Sequence, residues 1–260
     1  MRIIINGACG RMGSELQTLL ACGYRGHTLA AAVDRSAAVG SPVLHRLEEI
    51  TDSADMLIDF SHHTAIAAVC SFALSQCIPV VIATTGHTPE ELSHLQNAAR
   101  QIPVFHAANL SLGAALLFDF SRIAAAVFEE ADIEIVELHH NHKLDAPSGT
   151  ASELAEQLAA CRPAAQIRHG RSGHCRRQPE DICIHALRMG SHAGSHTVLF
   201  GSDEQTFSIT HTAHTPRCYA QGALYAAEFI LSKPPGMYGM SHLTRPLFHS
   251  GVNSICRECF

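Results

Sequence analysis

The sequence predicts an α/β fold in which a parallel-sheet domain is interrupted by a second, α+β domain. Three observations predict it. Short β-branched runs alternate with helix-like segments up to Asn109, the strands beyond that point come grouped, and a helix-like run at 219–231 has an apolar face able to return to the first domain.

Taken in order, strands are expected near 2–6, 29–34, 55–60, 79–83 and 103–106, with helices near 11–21, 64–76 and 88–100. Strand–helix–strand repetition at this spacing calls for a parallel sheet with helices on both faces, and ligands of such sheets lie at the carboxyl ends of the strands. A helix-like run at 111–128 then leads to a strand near 132–138, a loop dense in polar residues and a helix near 150–161. Strands near 182–188, 196–201 and 205–212 follow with short turns, which predicts a mainly antiparallel second sheet with Gly201-Ser-Asp-Glu204 as a hairpin turn. In the last helix Leu224, Ala227 and Leu231 fall on one face. These elements divide the chain into 1–109 plus 217–243, an inserted domain at 110–216, and a tail at 244–260. Within the tail, Pro246, Gly251 and Asn253 break any periodicity, and Cys256 and Cys259 form a bare CxxC without identifiable partners.

Composition bounds the function classes. With 260 residues, 47% apolar and 16% charged, the chain is long enough for two cores and has no apolar stretch suited to a membrane span. The N-terminus enters a strand directly, without the apolar region of a secretory signal, so a soluble, cytoplasmic protein is expected. Ten cysteines are scattered without a compact framework, which reads as reduced thiols. A net charge of −6 gives no support for nucleic-acid binding; the locally basic stretch 168–177 reads as a mobile loop over an acidic ligand or as a solvated one.

Gly7-Ala8-Cys9-Gly10-Arg11-Met12-Gly13 lies between the first strand and the first helix, where a dinucleotide pyrophosphate is usually held. Glycine allows a tight turn and close backbone approach, and the helix N-terminus supplies N–H donors and a positive dipole. Asp34 ends the second strand about 20 residues further on, placed for the adenosine ribose hydroxyls, and Arg35 beside it can face a 2′-phosphate. NADH and NADPH are therefore both expected as cofactor. Two further strand ends, Ala83-Thr84-Thr85-Gly86 and Ala107-Ala108-Asn109-Leu110, sit where a nicotinamide ribose would pass, although such residues are also common turn formers.

The run Glu137-Leu-His-His-Asn-His-Lys-Leu-Asp-Ala-Pro-Ser-Gly-Thr150 places His139, His140, His142 and Lys143 just before a helix N-terminus. Thr150 with Glu153 reads as a capping box, leaving outward N–H donors near Gly149 and Thr150 for a carboxylate or phosphate. Proton transfer beside a bound acid is the chemistry this predicts. His139, His140 and His142 are too close on one strand end to converge on an ion, and no H-E-x-x-H occurs, so no metal is expected. His142 and the other histidines, out of nineteen, are expected to be structural or on the surface.

Together, the glycine loop, Thr84-Thr85-Gly86 and above all the string H-H-x-H-K-x-D-A-P-S-G-T resemble the 4-hydroxy-tetrahydrodipicolinate reductase (dihydrodipicolinate reductase) family. The resemblance runs from about Met1 to Leu243. Gly170, Gly173, Gly194-Ser-His196 and Ile209-Thr-His211 leading to Arg217 and Gly222 support it. It implies a Rossmann-type cofactor domain completed by the C-terminal helix, and an inserted substrate and oligomerisation domain whose open sheets assemble a homotetramer. It implies NADH- or NADPH-dependent reduction of a small cyclic dicarboxylate, with loss of water, on the diaminopimelate route to lysine. His139 matches the family's catalytic acid/base and Lys143 its proton donor, while His140, Gly149 and Thr150 match substrate-binding positions; Ser148 and Arg217 are expected to join them. The chain departs from the pattern at Ala83, where the family usually has glycine, at Ala108, where proline is frequent, and at Leu110, where phenylalanine is. Two alternatives stand beside this reading: a dinucleotide sensor without turnover, and a related dehydrogenase for another small imino or amino acid.

Overall fold

The computed structural model describes residues 1–244 and divides into two compact units: Met1–Leu112 with the described residues from Pro216 on, and Gly113–Thr215. Of the expected tail, everything beyond Thr244, including Cys256 and Cys259, lies outside the described residues.

In the first unit, β1 (Arg2–Asn6), β2 (Thr28–Val33), β3 (Met56–Asp59), β4 (Val80–Ile82), β5 (Pro103–His106) and a late strand, β11 (Gly236–Tyr238), form a six-stranded sheet in the order β11-β5-β4-β3-β1-β2. All its pairings are parallel. The inner strands are buried on both faces, which is why Ile3-Ile4-Ile5 and Met56-Leu57-Ile58 are unbroken apolar runs. Helices α1 (Arg11–Ala21) and α6 (Arg217–Ile230) close one face through Leu16, Leu20, Ala223, Leu224 and Ala227, packed with Ile3, Ile5 and Phe105. Helices α2 (Ile66–Gln76) and α3 (Pro89–Ala98) cover the other through Val69, Ala73 and Leu95 against Ile4, Leu57 and Val80. Strand order reverses direction at β1, so the carboxyl ends of β1 and β3 form a topological switch point, the usual ligand crevice of open α/β sheets. In α6 the stripe is completed by Ile230 rather than Leu231, which is exposed just past the helix end.

In the second unit, α4 (Leu112–Val127) precedes β6 (Asp132–His139), and α5 (Gly149–Ala160) precedes β7 (Gln166–His169), β8 (Asp181–Arg188), β9 (Gly194–Gly201) and β10 (Thr206–Ala213). The order is β10-β9-β6-β8-β7. This sheet is mixed, not mainly antiparallel: β10·β9 and β9·β6 are antiparallel, but β6·β8 and β8·β7 run parallel. The reason is that α5 carries the chain from β6 across to the edge strand β7, and the connection 170–180 then brings it back as β8 between the two in the same direction. The strands absent from the sequence reading, β7 and β11, are short edge strands of low periodicity. One face is apolar, with Ile133, Ile135, Ile182, Ile184, Val198 and Phe200 packed with Leu117, Leu154 and Leu158 of the helices.

Candidate active site

The glycine loop is built from the sheet outward. Gly7 has φ +83°, and a Cβ on it would lie 2.6 Å from the carbonyl carbon of Phe60. A Cβ on Gly13 would lie 2.2 Å from the Gly7 carbonyl oxygen, so the third glycine serves the close packing of α1 on β1. The loop amides turn inward: Gly7 and Ala8 donate to the Val33 carbonyl (2.9 and 3.1 Å), Gly10 to the Gly7 carbonyl (3.2 Å) and Cys9 to Asp34 Oδ2 (2.9 Å). Ala8 is fully buried. The donors suited to an anion are therefore those of Arg11 and Met12 in the first turn of α1, since no side chain caps that helix at Gly10.

Beside the loop lies a cleft of about 500 Å³ lined by Asn6, Gly7, Gly10, Asp34 and Arg35. His45, Arg46 and His62 also line it; sequence reading did not connect them with the glycine loop because they come from separate loops. Burial pushes the Asp34 carboxyl up, but hydrogen bonds from Ser36 and the Cys9 amide outweigh it and hold the group below the usual carboxylate range. An uncapped helix start, a glycine cradle that a methyl would fill and an ionised acid at the end of β2 together fit a dinucleotide.

At the next strand ends, Thr84 is buried and its hydroxyl contacts His87 Nε2 (3.1 Å) and Asp59 Oδ2 (3.4 Å), whereas Thr85 is exposed. Ala83 and Ala107 are half-buried and Ala108 is exposed. Asn109 Oδ1 accepts from the Ser111 amide at 2.9 Å. Leu110 is buried, with its carbonyl where a Cβ on Gly222 would fall (1.7 Å), so its side chain is part of the core. Arg217 opens α6 in this same unit, with Nε 3.5 Å from Glu15 Oε2.

In the second unit, strand alternation sends Glu137 and His139 to the same face as Ile133 and Ile135, at the polar end of the core. Glu137 is fully buried and fully partnered. Arg188 grips it bidentately (Nη1 to Oε2 and Nη2 to Oε1, each 2.8 Å), the Ser148 amide donates to Oε1 at 3.0 Å, and His139 Nδ1 lies 2.5 Å from Oε2. Burial pushes the Glu137 carboxyl up, yet these donors hold it below its ordinary range. Burial lowers the His139 imidazole; Glu137 opposes that, and Lys143 and Arg188 reinforce it. On β9, His196 Nε2 is 3.0 Å from Ser148 Oγ and its ring stands edge-on to His139 at 5.2 Å. Burial, then the neighbouring His139, pushes His196 down to about 4.

The helix after the loop is capped by Ser148, whose Oγ accepts from the Ala151 amide at 3.2 Å, and not by Thr150 with Glu153. Glu153 instead accepts from Gln157. Gly149 and Thr150 thus form the first turn of α5, and nothing lies within 4 Å of the place a Gly149 Cβ would occupy. Lys143 Nζ contacts Asp145 Oδ1 at 2.8 Å. His140 Nδ1 is buried with no hydrogen-bond partner among the described residues. The basic stretch is not a free cationic lid: Arg168, Arg171 and Arg177 pair with Asp181, Glu134 and Asp132 of their own sheet. Among the described residues no group of His, Cys, Asp or Glu is arranged to hold a metal ion, no cysteine is in a disulfide, and no helix is long and apolar enough to cross a membrane.

Sequence reading missed Arg188, and saw Glu137, Gly194 and His196 only as parts of motifs. A period-two signal links Glu137 to His139, but Arg188 lies 51 residues away from its partner and no local pattern joins them.

Comparison with known proteins agrees along the whole described length. Residues 1–110 match the family model described as dihydrodipicolinate reductase, N-terminus, and residues 113–244 match dihydrodipicolinate reductase, C-terminus. The 4-hydroxy-tetrahydrodipicolinate reductase of Caldanaerobacter subterraneus subsp. tengcongensis is 39% identical, over 94% of this chain and 98% of its own length. That of Alkaliphilus metalliredigens is 36% identical over 92% and 97%. Among solved structures, the dipicolinate-bound dihydrodipicolinate reductase of Paenisporosarcina sp. TG-14 superposes with a TM-score of 0.76 at 25% identity, covering 92% of this chain and 97% of that one. With both halves matched and the relatives aligned almost end to end, the chain belongs to the dihydrodipicolinate reductase family.

Proposed function

We propose that the chain catalyses the NADH- or NADPH-dependent reduction of 4-hydroxy-tetrahydrodipicolinate to tetrahydrodipicolinate, with loss of water, in the diaminopimelate route to lysine. The observation that carries the reading is the buried Glu137–His139 pair beside the open first turn of α5, in a chain whose halves both match the family.

Reduction of a conjugated imine moves electron density toward nitrogen and its neighbouring carbons, so a proton must arrive as the hydride does. The reduced nicotinamide, when bound, supplies that hydride. His139 is the acid/base, presenting Nε2 while Nδ1 rests on Glu137. Lys143 is the second proton donor and a charged contact for a substrate carboxylate. His140, Ser148, Gly149 and Thr150 complete the carboxylate site at the start of α5, and Arg217 is a further carboxylate ligand. Gly7, Ala8, Cys9 and Gly10 shape the cofactor loop; Arg11 and Met12 offer amides to the pyrophosphate, and Asp34 holds the ribose. Arg35, with His45 and Arg46 on the same cleft, accepts a 2′-phosphate, which supports use of both cofactors. Ala83, Thr84, Thr85, Ala107, Ala108, Asn109 and Leu110 flank the nicotinamide end, the buried members by shaping the backbone.

The protein works in the cytoplasm as a homotetramer. Support for assembly comes from the sheet face opposite α4 and α5, where Leu187 is half-exposed and Val136, Leu138 and Leu199 are only partly covered.

The test is to condense pyruvate with aspartate semialdehyde in place and follow loss of NADH and of NADPH. Oxidation of both on adding the chain is expected. Cofactor binding without oxidation would turn the reading toward a sensor, and oxidation only with another imino acid toward a different dehydrogenase.

A further inference from the structure

We propose that Glu137 is a positioning residue: clamped by Arg188, it takes the Nδ1 side of His139, so that Nε2 alone carries the transferred proton, in a space kept open by Gly194. The inference deepens the reductase reading and rests on it for the role of His139.

An ionised carboxylate only accepts, and it has about four lone-pair sites. In Glu137 all are taken: Oε1 by Arg188 Nη2 and the Ser148 amide, Oε2 by Arg188 Nη1 and His139 Nδ1. A fully buried acid stays ionised only where it is paired in this way. The nitrogen facing it must therefore carry a hydrogen. In the neutral imidazole that leaves Nε2 bare; in the imidazolium the Nε2 hydrogen is the one free to leave. After transfer, the ring is neutral with Nδ1–H still bonded to Glu137, so the proton lost by Nε2 is the proton gained by the substrate.

Arg188 is itself held by main chain. Its Nη1 donates to the Leu187 carbonyl at 2.7 Å and its Nη2 to the Asp145 carbonyl at 2.6 Å, so one guanidinium ties β8, the loop at 143–145 and Glu137 together. On the opposite side, a Cβ added to Gly194 would stand 3.0 Å from His139 Nε2. The imidazole cannot swing away from such a methyl without leaving Glu137. The charged and titratable groups facing His139 are Glu137 on its own strand, Arg188 on β8, His196 on β9 and Lys143 in the following loop, with His211 of β10 next to His196. Of these only Glu137 favours the imidazolium.

The experiment has two arms on the full chain. Nitrogen NMR of the wild-type imidazoles, with His139 assigned by its absence in His139→Gln, is expected to show the neutral Nδ1–H tautomer; a neutral Nε2–H tautomer overturns the proposal even if no Glu137 variant folds. In the second arm, kcat, KM, cofactor Kd and the pH profile are measured for Glu137→Gln and Gly194→Ala. A loss of kcat of roughly 100-fold or more is expected for Glu137→Gln, by analogy with the acid that orients histidine in hydrolase triads. Its cofactor Kd should not change, and the alkaline limb of kcat should move to lower pH because the group favouring imidazolium is gone. Gly194→Ala should lose about 10-fold or more in kcat while keeping the Nδ1–H tautomer. Glu137→Gln with near wild-type kcat and an unmoved limb contradicts the positioning role; near wild-type kcat in Gly194→Ala contradicts the part given to Gly194. If the reductase reading itself were at fault, His139→Gln would be as active as wild type or wild type would be inactive, which separates the two failures.

Discussion

The two units hold their functional atoms in opposite ways. In the first, the site is main chain, shaped by side chains that are absent: Gly7, Gly10 and Gly13 bring α1 against β1 and leave its first turn uncapped. In the second, the site is a buried network of charged side chains, in which Glu137, Arg188, His139, Ser148 and His196 each satisfy another member. The first kind of site fails when an atom is added, the second when a partner or a charge is changed. Their responses to mutation and pH should differ accordingly.

The largest effect is expected from acid. His196 has an ordinary value of 6.5 and is held near 4 in the folded chain. Above 6.5 it is neutral in both states and adds no pH dependence. As pH falls from there toward 4 the unfolded chain takes up a proton that the folded chain refuses, so on the order of 3 kcal/mol of stability is lost. Denaturant titrations across this window should show the loss and should show it reduced in His196→Phe. An unchanged slope in that variant would remove His196 from the account.

Gly13→Ala comes next. Its methyl would lie 2.2 Å from the Gly7 carbonyl, so relief requires α1 to move. A cost of about 1–3 kcal/mol is expected in stability or cofactor affinity, read by melting and by NADPH titration. Full retention of both would show that the loop is looser than its geometry. Ser148→Ala should cost about 1 kcal/mol through loss of the α5 cap, and also leaves His196 Nε2 without its partner. Denaturant unfolding measures it, and no loss would mean that another group caps the helix. The smallest effect is assigned to Arg35→Ala: removal of one exposed charge contact should raise the KM for NADPH by roughly fivefold, about 1 kcal/mol, while leaving NADH unchanged. Equal effects on both cofactors would remove the 2′-phosphate role.

The same contrast explains what was legible in sequence. The parallel sheet, its helices and the glycine loop were readable because their signals are local: Ile3-Ile4-Ile5 is a short β-branched run that stops at Gly7, and G-x-x-G-x-x-G needs no distant partner. The histidine loop stood out for the same reason, its residues being adjacent in sequence. What failed depended on contacts remote in sequence. The parallel pairing of β6 with β8 could not be inferred from short turns, because β8 comes to lie beside β6 only after the chain has passed through α5 and the edge strand β7. Thr150 looked like a cap, but Ser148, already bonded to His196, occupies that place. Arg188 carries no motif at all; its importance exists only where β8 lies beside β6 and the guanidinium meets a buried acid.

The central claim is that the first unit holds cofactor through main chain while proton chemistry belongs to the side chains of the second. The most direct test measures kcat and NADPH Kd side by side for wild type, His139→Gln and Lys143→Ala. Turnover is expected to fall by roughly 10²–10⁴ in His139→Gln and substantially in Lys143→Ala, with the NADPH Kd unchanged in both. Undiminished turnover in His139→Gln, or a loss fully explained by weaker NADPH binding, would contradict it.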